Sequence, residues 1–446
     1  MPNIAIIGAG ISGLSTAYYL EKAGFNNITI FEQANFIGGV LKTDVLNENI
    51  IEQAAESVAK FPQTVFELID AIGLTNELIE PKVSKFQLYV KGNLTAPPTG
   101  LRYMVPTNLE AFKQSNFFSA EGKQRILQEV DIKENRLSED LTLKSFVVRR
   151  FGLEMYQRYA APVYGGIFGY DADQLSLKTV LPQLLIWEKQ YGSITKAVEN
   201  LPKKSNRGAV YFSFKNGVHS LADGICKQLN KHNLYLNTTI KSIIKKNKKW
   251  WVNNLPFDKV ILSCNATISA KLLKKEQVQL SELLKNIQFK SAGILTFLYD
   301  AELEEIDKFT SGILLPVDEF PEFSAITFSS NKWNNRTKPG NQLLRLYVRE
   351  EHLINQTKNI VEQKGIALLQ HVFKTTTKPV TTFLHRWPNS RPLYTMQHQH
   401  TVNQINDTLQ QTPNLYLCGC SYNGSGIASL VHQSKLLAEK IGANYN

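Results

Sequence analysis

The rhythm of apolar and polar positions changes character along the chain. Asn3-Ile4-Ala5-Ile6-Ile7 is a short, continuous apolar run, the pattern of a strand buried on both faces. After a cluster of glycines, Leu14, Ala17, Tyr18 and Leu20 recur at helical spacing, and Gly24 marks the stop. Ile28-Thr29-Ile30-Phe31 reads as a second strand, parallel to the first because a helix lies between them. From about residue 63 to 200 the periodicity predicts mostly helix, clearest over 66–72 and 143–148 and interrupted at Ala96-Pro97-Pro98-Thr99. Strands return near 209, with one more helix over 221–229 and a buried strand at Val260-Ile261-Leu262-Ser263. The stretch from 290 to 390 is β-rich, with runs over 294–299 and 343–348. The end repeats the opening: strand Leu415-Tyr416-Leu417, glycines, then a helix from about Ile427.

A chain of 446 residues exceeds one compact core and implies two or three domains. With 43% apolar and 20% charged residues it has the composition of a globular protein. The formal charge of +11 admits nucleic acid, an anionic membrane surface or an acidic small substrate as partner. The densest basic run, 245–249, lies between two β-like segments, as the solvated turn of a hairpin would, and no nucleic-acid-binding motif accompanies it. No apolar run approaches the roughly 20 residues of a membrane-spanning helix, and no charged leader precedes the first strand. The expectation is a cytoplasmic protein, at most peripheral on the cytoplasmic face of the membrane. Cys226, Cys264, Cys418 and Cys420 match no disulfide framework or zinc spacing, so no metal is expected.

Gly8-Ala9-Gly10-Ile11-Ser12-Gly13 fits GxGxxG at the junction of a strand and a helix. Gly8 permits the tight turn, Gly10 leaves room for a pyrophosphate, and Gly13 lets helix and strand pack closely. Glu32, ending the second strand, is placed to accept hydrogen bonds from the adenosine ribose. These features alone allow NAD or FAD. Gly38-Gly39 with Lys42 resembles the glycine doublet of amine-oxidase-like flavoproteins, although Phe36 and Val40 replace the usual arginines. Residues 257–266 resemble that superfamily's strand returning to the nucleotide sheet, and 414–427 its second FAD motif, with Gly419, Gly426 and Ile427 at a helix start facing the flavin. A non-covalent FAD is therefore expected.

Almost end to end, the chain resembles the oxygen-dependent porphyrinogen oxidases. The resemblance is carried by 161–169 with 174–176, by 331–333 with 344–348, by Arg386-Trp387, 392–394 and His398, and by 419–424. It implies an α/β architecture with a discontinuous Rossmann-like FAD-binding domain (1–60, 206–270 and 400–446). A β-rich substrate-binding domain (61–105 and 271–399) and a helical membrane-contact domain (106–205) complete it. Phe117-Phe118 and Tyr103-Met104-Val105 are expected at the membrane edge. The implied reaction takes six electrons from a porphyrinogen in three hydride transfers to FAD, with molecular oxygen as final acceptor and hydrogen peroxide released. No residue is assigned as catalytic acid or base. The resemblance adds Ile11, Ser12, Ser57, Ile240 and Trp387 to the cofactor contacts. It gives the substrate Gly166, which a plain turn would also explain, Leu314, which ordinary core would also explain, and Arg102 as a propionate-binding cation. An arginine at that position marks the protoporphyrinogen branch, so protoporphyrinogen IX is expected. Coproporphyrinogen III is the alternative, and an amine or carotenoid oxidase a more distant one. Two further departures stand out: Gln53-Ala54-Ala55-Glu56-Ser57 where a glycine-proline pair is usual, and Ser434 in place of a glycine.

Overall fold

A computed structural model describes residues 1–133, 140–168, 171–202, 210–229 and 233–443. Five parallel strands, Ile4–Ile7 (β1), Ile28–Phe31 (β2), Leu234–Tyr235 (β3), Lys259–Leu262 (β4) and Leu415–Leu417 (β5), form one sheet in the order β3-β2-β1-β4-β5. Alternation in β1 explains why its run is apolar throughout. Ile4 and Ile6 pack under helices Ile11–Lys22 (α1) and Ile427–Ala443 (α2), while Ala5 and Ile7 join Trp250, Val260 and Leu280 on the opposite face. The predicted hairpin pairs Ile243–Lys246 with Lys249–Val252 through Asn247 and Lys248, both at positive φ (51° and 62°). Most of the lysine run is thus in the strands, with only Lys248 in the turn.

A second, seven-stranded sheet runs Thr381–Pro392, Phe289–Tyr299, Gln342–Val348, Phe323–Phe328, Gly312–Leu314, Gln87–Val90, Asn93–Thr95. Every neighbouring pair is antiparallel except Gly312–Leu314 with Gln87–Val90. The last two strands correct the helical reading of that region. Gln87-Leu88-Tyr89-Val90 is too short for its period to tell strand from helix, and the positive-φ pair Lys91 and Gly92 closes it into a hairpin. Leu295, Phe297, Ile326, Leu344 and Leu346 pack under helix Lys358–Phe373. The alternate positions, among them Leu314, Thr296, Arg345 and Tyr347, line the other face.

Short helices fill 109–199 around a separate core. The residues expected at a membrane edge are part of that core: Phe117, Phe118, Met104 and Val105 are at most 3% exposed, and only Tyr103 reaches the surface. Mutual aromatic packing explains the burial, with Phe118 edge-on to Phe117 at 4.8 Å and tilted against Phe112 at 5.9 Å. No helix of the described residues is long and apolar enough to cross a membrane.

Candidate cofactor and substrate site

The carboxyl ends of β1, β2 and β4 converge on the glycine loop. Gly8, at φ 110°, donates its N–H to Phe31 O at 2.7 Å, joining the loop to the end of β2. Ser263, just past β4, reaches under the loop, its Oγ 2.9 Å from Ile7 O and 2.8 Å from Gly8 O. A Cβ on Gly13 would come 2.0 Å from Gly8 O, so the close approach of α1 to β1 requires glycine there. A Cβ on Gly10 would meet nothing within 4 Å. The N–H groups of Ile11, Ser12 and Gly13, in the first turn of α1, have no intrahelical acceptor and face the region in front of Gly10. The Glu32 carboxylate accepts from Ala9 N at 2.8 Å and Ala34 N at 2.9 Å, which brings it to the mouth of the loop. The sequence reading places Ser263 at the end of the buried strand without giving it a role, although a polar residue closing a buried parallel strand was the available signal.

Gly38 pairs with Gly10 in an isolated bridge and donates to Ala9 O at 2.8 Å, while Gly39 stands so close that its Cβ would be 3.3 Å from Gly10 Cα. The Phe36 ring packs under Lys42, whose Nζ lies 4.3 Å from its centroid. Gly419, at φ 116°, lies beside Ser12, and Gly426 precedes α2 with open space around it. Ser434, the residue in place of a glycine, is fully buried and donates to Ser12 O at 3.0 Å, fastening α2 to α1. Ile240 is partly buried against the core cluster that includes Ile7, Phe31, Val260 and Leu262.

The loop 53–57 is held by buried charge. Glu56 pairs with Lys332 at 2.7 Å and Arg345 at 3.0 Å and accepts from Ser329 at 2.7 Å. Lys332 also donates to Ser57 Oγ at 3.0 Å, Arg345 donates to the carbonyls of Glu52 and Ala54, and Trp387 Nε1 donates to Gln53 O at 2.9 Å. Burial alone would raise the pKa of Glu56, but the Lys332 and Arg345 charges overcome it and hold the carboxyl well below the usual range. The glycine-proline pair is thus replaced by a loop clamped to the second sheet.

Of the substrate candidates, two come together. Gly166, on helix Ala161–Phe168, faces Leu314, whose Cδ2 would lie 3.3 Å from a Cβ at that glycine. At the end of the same helix Phe168 stacks edge-on against Tyr394 at 6.2 Å, and Tyr394 donates to Cys420 O at 2.9 Å. The helix therefore bridges the open face of the second sheet and the loop before α2. Gly169, the last glycine of that motif, lies outside the described residues. Arg102 is half-buried in the hairpin Leu101–Arg102 with Val105–Pro106, its Nη1 donating to Pro202 O at 3.1 Å.

A profile of the flavin containing amine oxidoreductases matches residues 11–441. The chain belongs to that family. It is 26% identical to coproporphyrinogen III oxidase of Staphylococcus aureus, over 98% of each chain. It is 25% identical to the chloroplastic/mitochondrial protoporphyrinogen oxidase 2 of Arabidopsis thaliana, over 96% of this chain and 91% of that one. A solved structure from Exiguobacterium sp. 255-15 superposes with a TM-score of 0.88 at 24% identity, covering 99% of both chains.

The residues of this site fit a flavin dinucleotide. Both helix starts, at Gly10 and Gly426, have open space in front of them, and a carboxylate stands at the end of β2. In Glu32→Ala, loss of a charge-assisted hydrogen bond to the ribose is expected to weaken FAD binding by about 1–3 kcal/mol. Turnover at saturating FAD should stay near wild type, because the ribose is remote from the reacting ring. Flavin titration of the apoprotein measures the first effect. A collapse of turnover with full FAD occupancy would contradict the role given to Glu32.

Proposed function

We propose that this protein is an FAD-dependent porphyrinogen oxidase. The observation that carries this reading is the bare backbone of Gly166 set against Leu314, on a helix whose end touches the loop before α2 through Phe168 and Tyr394. Bare backbone and aliphatic side chains are the groups that line a pocket for a broad, apolar macrocycle, and Gly166 and Leu314 supply one of each, packed side by side. The near full-length similarity to porphyrinogen oxidases supports the same reading. The chain's own contribution is positional: Gly166 and Leu314 orient the ring. Bound FAD supplies the two-electron acceptor.

Coproporphyrinogen III is the substrate we favour within this class. The Staphylococcus aureus relative and a second one from Bacillus subtilis, 25% identical over 97% of this chain, both carry that name. Arg102, the basis for expecting protoporphyrinogen IX, already donates to a backbone carbonyl. The Arabidopsis thaliana relative keeps protoporphyrinogen IX as the second reading. Offering each porphyrinogen to the purified flavoprotein under air, with porphyrin fluorescence as the readout, tests the proposal. The expected result is porphyrin formation with hydrogen peroxide release, faster from coproporphyrinogen III. Turnover of neither compound, by protein with full flavin content, would end the porphyrinogen reading.

A further inference from the structure

The first sheet has an open edge along β5. Val260 N donates to Asn414 O at 2.9 Å and Cys418 N to Leu262 O at 3.0 Å, so Asn414 and Cys418 turn their backbone toward β4. In a parallel ladder the residues out of phase with these, Leu415 and Leu417, point theirs the other way. Leu415 N donates to Thr412 O at 3.4 Å, which leaves the Leu417 N–H and the carbonyls of Leu415 and Leu417 along the outer edge. Among the described residues no further strand pairs with them. A cavity of about 690 Å³ follows this edge, with Leu409 and Gln410 from helix His398–Gln410 and with Leu437 and Lys440 from α2 in its lining. The two helices cover opposite faces of the sheet: Val402 and Ile405 pack with Val260 and Leu262, Leu430 and Val431 with Ile261. The cavity therefore has a strand edge as its floor and a helix on either side, which is the setting of one further strand about 4.8 Å from β5.

Charge says what that strand carries. Lys259 and Lys440 line the cavity, and no carboxylate of the described residues does. Lys259 is only 8% exposed, and its Nζ donates to the neutral Asn414 Oδ1 at 2.8 Å and lies 5.9 Å from the Tyr416 ring centroid. Asn414 takes one of three ammonium protons. The adjacent Asp258 is committed to Lys249 at 3.3 Å and to Asn3 N at 2.8 Å. A buried ammonium with a neutral partner favours an incoming anion. Lys259 shares the α2 face of the sheet with Ile261 and Tyr416, whereas Leu415 lies on the opposite face with Val260 and Leu262. Side chains of an added strand would alternate between an apolar wall and a cationic one.

We propose that the β5 edge docks an extended segment of a partner protein in which apolar and acidic residues alternate. The segment adds as a sixth strand, with its carboxylates toward Lys259 and Lys440. Lys259 and Asn414 stand at the amino ends of β4 and β5, away from the glycine loop, so docking leaves the cofactor region open. The assignment is independent of the porphyrinogen reading.

The test uses purified holoenzyme and a rhodamine-labelled, end-blocked pentapeptide of alternating valine and glutamate, followed by fluorescence anisotropy. The peptide is expected to bind with a Kd below about 1 mM. Replacing its glutamates by lysines, or introducing Lys440→Glu into the protein, should weaken binding by about 10-fold or more, with flavin content unchanged. Methylating the backbone nitrogens of the valines, or instead those of the glutamates, blocks one or the other edge of the peptide. One of these two peptides should lose binding and the other keep it, because only one edge faces β5. Lys259→Met should weaken binding as Lys440→Glu does; if it does not accumulate as folded holoenzyme, Lys440→Glu and the methylated peptides carry the test. Absence of binding, equal affinity for the glutamate and lysine peptides, or unchanged affinity in Lys440→Glu overturns the proposal. Retained binding by both methylated peptides would reduce the site to an anion contact without strand pairing and overturns it equally.

Discussion

Gly10→Val is expected to yield a folded, colourless protein, whereas Gly13→Ala is expected to damage the fold as well as the cofactor site. The two glycines stand three residues apart in one motif, but their surroundings are opposite. A side chain at Gly10 meets no protein atom within 4 Å and projects into the region where a pyrophosphate would lie. Losing that contact should lower FAD affinity by about 100-fold or more, which corresponds to roughly 3 kcal/mol. At Gly13 an added Cβ would sit 2.0 Å from Gly8 O and 2.6 Å from Ser263 Oγ. Backbone blocks it, so α1 must move off β1, at a cost of about 1–3 kcal/mol or more. Flavin absorbance per protein, read beside thermal melting, separates the two. Full flavin content in Gly10→Val, or wild-type melting in Gly13→Ala, would contradict the geometry.

The second large effect is expected from Glu56→Ala. Glu56 is buried with Lys332 and Arg345, and Arg345 is fully enclosed. Removing the carboxylate leaves two cations facing each other without their counter-ion, a change that typically destabilises by about 3–5 kcal/mol. The same substitution frees the 53–57 loop from the second sheet, so flavin retention should fall together with stability. Because the folded pKa of Glu56 is depressed, its stabilising contribution is complete above the unfolded value near about 4.3 and declines as pH falls below it. Urea unfolding followed by tryptophan fluorescence, at neutral pH and again near pH ~4, measures both points. A loss below about 1 kcal/mol at neutral pH would mean that the cluster is not acting as a clamp.

Much of the nucleotide-binding half could be read from sequence because local signals there agree with the tertiary structure. β1 and β2 are buried on both faces and read as continuous apolar runs, and glycines punctuate them where the backbone turns or approaches closely. Other features depend on distant partners. Phe117 and Phe118 look like an interfacial patch until Phe118 is seen packed against both Phe117 and Phe112 in one core. Residues 87–95 carry no decisive period and become strands by joining Gly312–Leu314. Gly166 and Leu314 were separate candidates, and their apposition arises only when a helix from one region crosses a strand from another.

The discontinuity of the first sheet bears on how this protein is made. Its central strands come from residues 4–31 and 259–262, but β5 and α2 follow only after about 150 further residues. At roughly 5–20 residues per second, a ribosome needs about 8–30 s to cover that distance. Throughout this interval β4 presents an unpaired edge, and the face of α1 that α2 will cover is open to solvent. Cofactor capture must therefore wait until synthesis is nearly finished, and a nascent chain stalled before 415 would be a substrate for chaperones rather than a flavoprotein.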